Sequence, residues 1–319
     1  MAVRSIVALF AALLFALPAA AEEGVLRIVL GYPAGATSDI LSRLLADKLH
    51  ASLGRPVVVE NKVGAGGRIA NDTVKAAAAD GNTLLLTPVA SMAIFPHSYA
   101  GRLRYDPFKD FVPVAHLSNF QLGFGVGAAV PAKTLAEYVA AVKKDPKLGF
   151  YASAAPGSIP HFFGVMFARA AGIELTHVPY KGTAHALQGL AGGQVSAVST
   201  VAADIGTLVT AGKARLLAVS GEKRMSIFPD VPTFREAGYD LVALPWYALF
   251  ARTGTPQADI DKYSKAAIAA MHEPVLRARL EKMGLEPTGL GPQELAKILK
   301  HDYEQWGPVI RASGFKPGQ

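Results

Sequence analysis

The 319-residue chain contains no cysteine. Disulfides, thiolate metal sites and cysteine nucleophiles are therefore excluded, as is lipid attachment through an N-terminal cysteine. Absence of cysteine names no compartment, although it is compatible with an oxidising one. Charge is also sparse. Only 18% of residues are charged, and the basic excess, 32 Lys and Arg against 25 Asp and Glu, is diffuse. No run exceeds two adjacent basic residues, as at Lys143-Lys144 and Lys223-Arg224. A nucleic-acid binder concentrates its positive charge on one face or arm, so nucleic acid is not an expected partner.

Catalytic and cofactor signatures are missing too. No G-x-S-x-G elbow occurs. Ser220-Gly221-Glu222-Lys223 fits S-x-x-K, but the motifs that must follow it do not, and chance explains the match. The eight histidines show neither H-x-x-x-H nor H-E-x-x-H spacing. Gly64-Ala65-Gly66-Gly67 and Gly123-Phe124-Gly125-Val126-Gly127 match neither nucleotide-binding fingerprint and read as tight turns. Asn71-Asp72-Thr73 is a glycosylation sequon on an expected helix, hence coincidental. No catalytic residue, metal or cofactor is expected, and an enzyme is the weaker reading.

What is present is a large apolar fraction, 51%, in a chain long enough for two domains. Arg4, the apolar run Ile6–Leu17 and Ala19-Ala20-Ala21 form a secretory signal pattern with cleavage after Ala21. The run is too short for a bilayer span, and no later stretch reaches about eighteen uninterrupted apolar residues. A periplasmic protein comprising residues 22–319 is expected.

The remaining chain alternates strand-like and helix-like segments. Leu26–Leu30 is apolar. Leu41, Leu44, Leu45, Leu49 and Leu53 then recur at helical spacing, with Ser38 or Asp39 as cap and Gly54 as stop. Strands at 57–59 and 84–86 flank a helix at 69–79. The rhythm continues through helices at 132–144, 160–171, 183–190 and 202–211. Strands at 149–152, 175–178, 195–198 and 216–219 lie between or after them. Helices at 259–271, 274–283 and 293–311 end the chain. Such alternation implies an α/β protein with mainly parallel sheets. Extended stretches at 121–126 and 246–251 are expected to cross between lobes. Residues 22–122 and 246–319 then form lobe 1, and residues 123–245 form lobe 2.

Two loops carry the functional expectation. Tyr32 to Asp39 joins a strand to a helix, and Tyr151 to His161 does the same in the other lobe. Small residues let backbone N–H groups approach a ligand, and a helix N-terminus favours an anion. Each is an ordinary βα turn by itself. A facing pair fits an anion site, because open α/β sheets bind ligands at strand carboxyl ends. Trp246-Tyr247 reads as interlobe packing.

An ordered set of segments resembles the solute receptors of tripartite tricarboxylate transporters, the Bug-type proteins. The set runs from Pro33-Ala34-Gly35-Ala36-Thr37-Ser38-Asp39 through Pro56-Val57-Val58-Val59-Glu60-Asn61, Gly64-Ala65-Gly66-Gly67 and Asp80-Gly81-Asn82-Thr83. It continues with Tyr105-Asp106-Pro107-Phe108, His177-Val178-Pro179-Tyr180-Lys181-Gly182 and Gly192-Gly193-Gln194-Val195. Phe228-Pro229-Asp230-Val231-Pro232-Thr233, Trp246-Tyr247 and Gly254-Thr255-Pro256 complete it. The resemblance implies a type II periplasmic binding fold, a hinge, and a small organic carboxylate, mono- or dicarboxylic with aromatic acids included, in the interlobe cleft. It also implies membrane permease subunits as partners. A monomer is expected. Carried over, the lobe 1 contacts are Tyr32, Ala34, Gly35, Ala36, Thr37, Asp39, Thr87 and Ser91. Those of lobe 2 are Ser153, Gly157, Ser158, His161, Thr200 and Asp204. Departures include Ala36 for a usual glycine, the less polar Thr87-Pro88-Val89, and Thr200 in place of an acidic residue. With few charged groups to hold an ammonium, an acid lacking an amino group is expected. A sensory receptor feeding a kinase would use the same binding chemistry.

Overall fold

The computed structural model describes residues 24–317. The signal-peptide expectation, residues 1–21, lies outside them. Among the described residues no helix is long and apolar enough to cross a membrane.

The chain builds two sheets. The first contains β1 (Leu26–Leu30), β2 (Val57–Asn61), β3 (Thr83–Pro88), β4 (Phe111–Phe120), β10 (Trp246–Arg252) and β11 (Leu285–Leu290) in the order β11-β4-β10-β3-β1-β2. The second contains β5 (Leu122–Gly127), β6 (Phe150–Ser153), β7 (Thr176–Pro179), β8 (Ala197–Val201) and β9 (Ala214–Val219) in the order β7-β6-β8-β5-β9. β1 is parallel to β2 and β3, and β6 to β7 and β8. Leu26, Ile28, Val29 and Leu30 are all buried, as a parallel strand covered on both faces requires.

The expectation of mainly parallel sheets needs correction. β10 runs antiparallel to β3 and β4, β11 to β4, and β5 to β8 and β9. β5 and β10 enter their sheets on passages between the two sheets, and β4 takes β10 and β11 as antiparallel neighbours on its two sides. β4 and β11 were not anticipated. Pro113 lies within β4 and Pro287 within β11, and strand propensity disfavours proline. The Gly123–Gly127 segment is likewise strand, not turn. A Cβ at Gly125 would sit 2.9 Å from Ile205 Cγ2, so glycine lets helix α7 (Ala202–Thr210) lie close on β5.

The other helices named below are α1 (Thr37–Leu53), α2 (Arg68–Ala76), α5 (Ile159–Ala171), α6 (Thr183–Ala191) and the C-terminal α10 (Pro292–Ala312). The intervening α3 and α4 are Phe95–Ser98 and Leu135–Lys144, and α8 and α9 are Gln257–His272 and Pro274–Lys282. In α1 the leucine spacing does what it predicts: Leu41, Leu45 and Leu49 are fully buried. Gly54 ends the helix in the left-handed conformation. The cap is Ala36 rather than Ser38 or Asp39, because the helix begins at Thr37, four residues before the first leucine of its apolar stripe.

The chain leaves the first sheet at Gln121 and returns over residues 220–245. β10 itself lies wholly in the first sheet, so the expected crossing at 246–251 falls a few residues too late. Gln121 ties the passages together. Its amide donates to Lys223 O at 3.1 Å and Glu286 Oε1 at 3.0 Å, and its carbonyl accepts from Gly221 N–H at 2.9 Å. Ser220 Oγ adds a bond to Ala243 O at 2.6 Å and accepts from Leu122 N–H at 2.9 Å. Trp246 is core, with its indole N–H donating to Asp302 at 2.7 Å.

Candidate functional site

Each loop singled out from the sequence lies between a strand's carboxyl end and a helix's first turn. In the first, Ala34 and Gly35 are exposed and offer only backbone. Gly35 has φ +82°, a conformation that favours glycine. Its N–H donates to Asp39 Oδ2 at 2.9 Å. Asp39 is buried and also accepts from Arg43 at 3.0 Å and from Asn61 Nδ2 at 2.9 Å. Burial acts to raise its pKa, but the bonds from Arg43, Gly35 N–H and Asn61 outweigh it, holding the carboxyl below its usual range. Asp39 thus clamps the loop from within, and its oxygens are committed to that task.

Tyr32 is partly buried and donates to Gly66 O at 3.3 Å. Burial pushes its phenol well up, opposed by the neighbouring Ser91 hydroxyl. Ser91 sits in a π-helical turn, Ala90–Ile94, and its buried Oγ has no hydrogen-bond partner among the described residues. Thr87, at the end of β3, reaches Asn71 Oδ1 at 3.5 Å, and Asn71 reaches Met92 Sδ at 3.5 Å. Asn71 is fully buried in α2, which explains why its sequon is coincidental.

In the second loop Gly157 has φ +72°, and its N–H donates to His161 Nδ1 at 3.0 Å. Ser158 Oγ donates to Ala155 O at 2.7 Å, and Ser153 Oγ lies 2.7 Å from His177 Nε2 and 3.2 Å from Ala155 O. His161 and His177 stack with ring centroids 4.0 Å apart. Burial lowers His161 to about 4; burial, then the neighbouring His161, lowers His177 to about 3. Both are neutral at pH 7. The Ser153–His177 contact is not a catalytic pair on this geometry. Ser153 is fully buried, and no carboxylate orients His177 among the described residues.

The two halves meet at Thr37 and Asp204. Thr37 Oγ1, at the start of α1, donates to Asp204 Oδ1 in the first turn of α7 at 3.2 Å. Burial pushes the Asp204 carboxyl up to about 6, with the Thr37 bond opposing. Tyr247 lies close by: its phenol is raised by burial and then by Asp204 and Tyr32. Thr200 Oγ1 pairs at 3.2 Å with Thr183 Oγ1, the first residue of α6. The structure therefore brings Tyr32, Thr37 and Asp204 together and adds Tyr247, which sequence reasoning had assigned to packing. Ser153, Ser158 and His161 turn inward to hold their loop, leaving its backbone as the presented surface. Thr183 was missed, since a threonine after Lys181-Gly182 carries no distinctive signal.

No Lys or Arg belongs to this cluster. It offers hydroxyls, one protonatable carboxyl and first-turn N–H groups without intrahelical acceptors. Such a set suits recognition of a small anion through uncharged donors.

Two sheets joined at a hydrogen-bonded hinge, with ligand-type loops at facing strand ends, define a two-lobed binding protein of the type II periplasmic class. The profile of the tripartite tricarboxylate transporter family receptor matches residues 41–315, and the chain belongs to that family. It is 35% identical, over 96% of its length and 94% of the relative's, to the "UPF0065 protein in gbd 5'region" of Cupriavidus necator. Among solved structures it resembles a Rhodopseudomonas palustris protein with adipate. That match has TM-score 0.87 and 29% identity, covering 92% of this chain and 98% of the other. MatC of the same organism, with bound malate, matches with TM-score 0.81 and 29% identity, covering 90% and 99%.

Proposed function

We propose that this chain is an exported receptor, cleaved after Ala21, that captures a small organic carboxylate lacking an amino group. It passes that ligand to the membrane subunits of a tripartite tricarboxylate-type transporter. Lobe 1 comprises residues 22–122 and 246–319, and lobe 2 residues 123–245. The observation that carries the reading is the convergence of Tyr32 and Thr37 with Asp204 and Tyr247 across the cleft. The malate- and adipate-bound relatives support the ligand class.

The ligand carboxylate docks on the backbone N–H groups of Ala34, Thr37 and Ser158, while Gly35, Ala36 and Gly157, whose own N–H groups are bonded within the loops, shape the two cradles. Tyr32, Thr87, Ser91 and Thr200 supply hydroxyls nearby. Hydrogen bonds replace lost hydration as the lobes close, so the donors must be pre-organised. Asp39, Ser153 and His161 contribute by holding the loops. Asp204 disfavours a second charge beside it while ionised, and donates to an acceptor once protonated. Closure then selects the form that the membrane subunits recognise.

Calorimetric titration of residues 22–319 with malate, adipate and aspartate tests this. Binding of at least one diacid, weakened by Thr37→Val, is the expected result. Binding of aspartate alone would overturn the ligand class.

A further inference from the structure

A cavity of about 240 Å³ lies away from this cluster. It opens between the first turns of α5, the end of β7 and the chain segment that follows α10. Its walls include Pro156, Val165, Pro179 and Phe315, with His161 and His177 on its floor and Lys316 at its edge. Pro156 and His161 of the second loop line it, and no lining residue belongs to the first loop, the Thr87–Ser91 segment or the Thr200–Asp204 turn.

His161 gives the cavity a fixed polarity. Its Nδ1 accepts from Gly157 N–H, so the proton of the neutral ring is on Nε2. No group among the described residues pairs with that Nε2–H, although His161 is only 8% exposed. The ring is immobilised by His177 on one side and by Phe162 and Phe315, with centroids at 4.0, 5.0 and 5.4 Å. The outer wall is equally well seated. Phe315 packs edge-on against Phe162, and Arg102 holds Pro317 O at 2.8 Å.

The chemistry is thus one unpaired imidazole N–H open to the cavity, one exposed ammonium, an aromatic ring and two proline faces. The donor and the ammonium select an anion; the flat apolar walls select a planar body. The volume falls below the roughly 300 Å³ at which pockets begin to hold drug-sized ligands, which limits the occupant to about one ring and its carboxylate. We infer that this cavity is a second binding site, distinct from the interlobe cleft, for a small aromatic monocarboxylate. The carboxylate spans His161 Nε2–H and Lys316, and the ring lies against Phe315 and the prolines. Because one wall follows the lobe 1 helix α10 and the rest is lobe 2, an occupant braces the two lobes. The inference does not depend on the identity of the cleft ligand.

The test is calorimetric titration of residues 22–319 with sodium benzoate, with benzamide as the uncharged isostere. Val165 is only partly buried, so Val165→Trp fills the cavity from its side with little disturbance of the core. Saturable benzoate binding is expected. Val165→Trp weakens it at least about tenfold, ~1.4 kcal/mol, and Lys316→Ala weakens it severalfold. Malate and adipate titrations, whatever they give for the wild type, remain unchanged in both variants. Three results would overturn the proposal: benzoate affinity unaltered by Val165→Trp, benzamide binding as tightly as benzoate, or strict competition between benzoate and a cleft diacid. Should the tryptophan variant fail to fold, the His161 imidazole ¹⁵N signals of the wild type decide. A saturable shift with benzoate supports the site, and no shift refutes it.

Discussion

The two lobes solve one problem with different chemistry. In each, a glycine at positive φ precedes the helix, and its N–H is bound by a side chain four residues on, in the helix's first turn. Gly35 donates to Asp39 and Gly157 to His161, at 2.9 and 3.0 Å. The acceptor in lobe 1 is a buried carboxylate, and Arg43 and Asn61 make its charge tolerable. In lobe 2 it is a neutral imidazole, stacked on a second imidazole. A buried acceptor can be charged only where a partner offsets its desolvation. One loop is therefore held by charge and the other by neutrality, and the two respond to acid differently.

The largest expected effect follows from that difference. His161 and His177 have folded values of about 4 and 3, below the ordinary histidine value. Between the two values the unfolded chain binds more protons, so their stabilisation is complete above about pH 6.5 and is lost as pH falls. The loss reaches on the order of 3 kcal/mol per histidine near pH 4. Asp39, with its lowered carboxyl, keeps its contribution until pH falls below about 4. Asp204 acts in the opposite sense: raised to about 6, it favours the folded state as pH falls from 6 towards 4 and partly offsets the histidines. Hydrogen exchange at pH 5 and 7.5, corrected for intrinsic rates, should show segment 150–180 loosening first on acidification while segment 26–61 stays protected. Equal loosening would break the comparison.

A smaller effect separates the acceptors directly. Asp39→Ala strands Arg43, Asn61 and Gly35 N–H. We expect a loss of about 2–3 kcal/mol by urea unfolding, below the usual cost of breaking a buried pair because Arg43 is half-exposed. Asp39→Asn retains an acceptor and costs ~1 kcal/mol. An alanine variant as stable as the wild type would show that the charge does not hold the loop.

The glycines sharpen the comparison further. A Cβ at Gly35 meets open space, whereas one at Gly157 lies 2.9 Å from the Phe315 ring. Gly35→Ala therefore carries only the left-handed penalty, ~1–2 kcal/mol, and Gly157→Ala carries an additional clash of about 1 kcal/mol. Phe315→Ala should relieve only the second, and a double-mutant cycle reads the coupling. Additivity of Gly157→Ala and Phe315→Ala would mean that the segment after α10 does not rest on the loop.

Much of the scaffold was legible because it rests on local pattern. Leu41, Leu45 and Leu49 announce α1 by spacing, and Gly54 its end. The two loops stand out because each puts small residues between an apolar run and a helical period. What stayed hidden depends on distant partners. β4 and β11 contain prolines tolerated by their tertiary setting, and β5 reads as a glycine turn until α7 packs on it. Asp39 looks like a cap until Gly35 and Asn61 surround it. His161 is drawn inward by Gly157 and His177, and Tyr247 joins the candidate cluster only because Asp204 arrives from the other lobe. Phe315 has no local signal at all.

The smallest effect tests the one bond that joins the two helix starts. Thr37→Val keeps shape but removes the donor to Asp204. A single hydrogen bond is worth ~1 kcal/mol, so affinity for a cleft diacid should fall about fivefold. The informative readout is the titration of Asp204. The Thr37 bond is what opposes burial there, so its loss moves the Asp204 carboxyl above about 6. The pH at which diacid affinity changes must shift upward in step. Weaker binding with an unmoved pH profile would mean that Thr37 acts on the ligand alone, and that Asp204 senses burial rather than the opposite lobe.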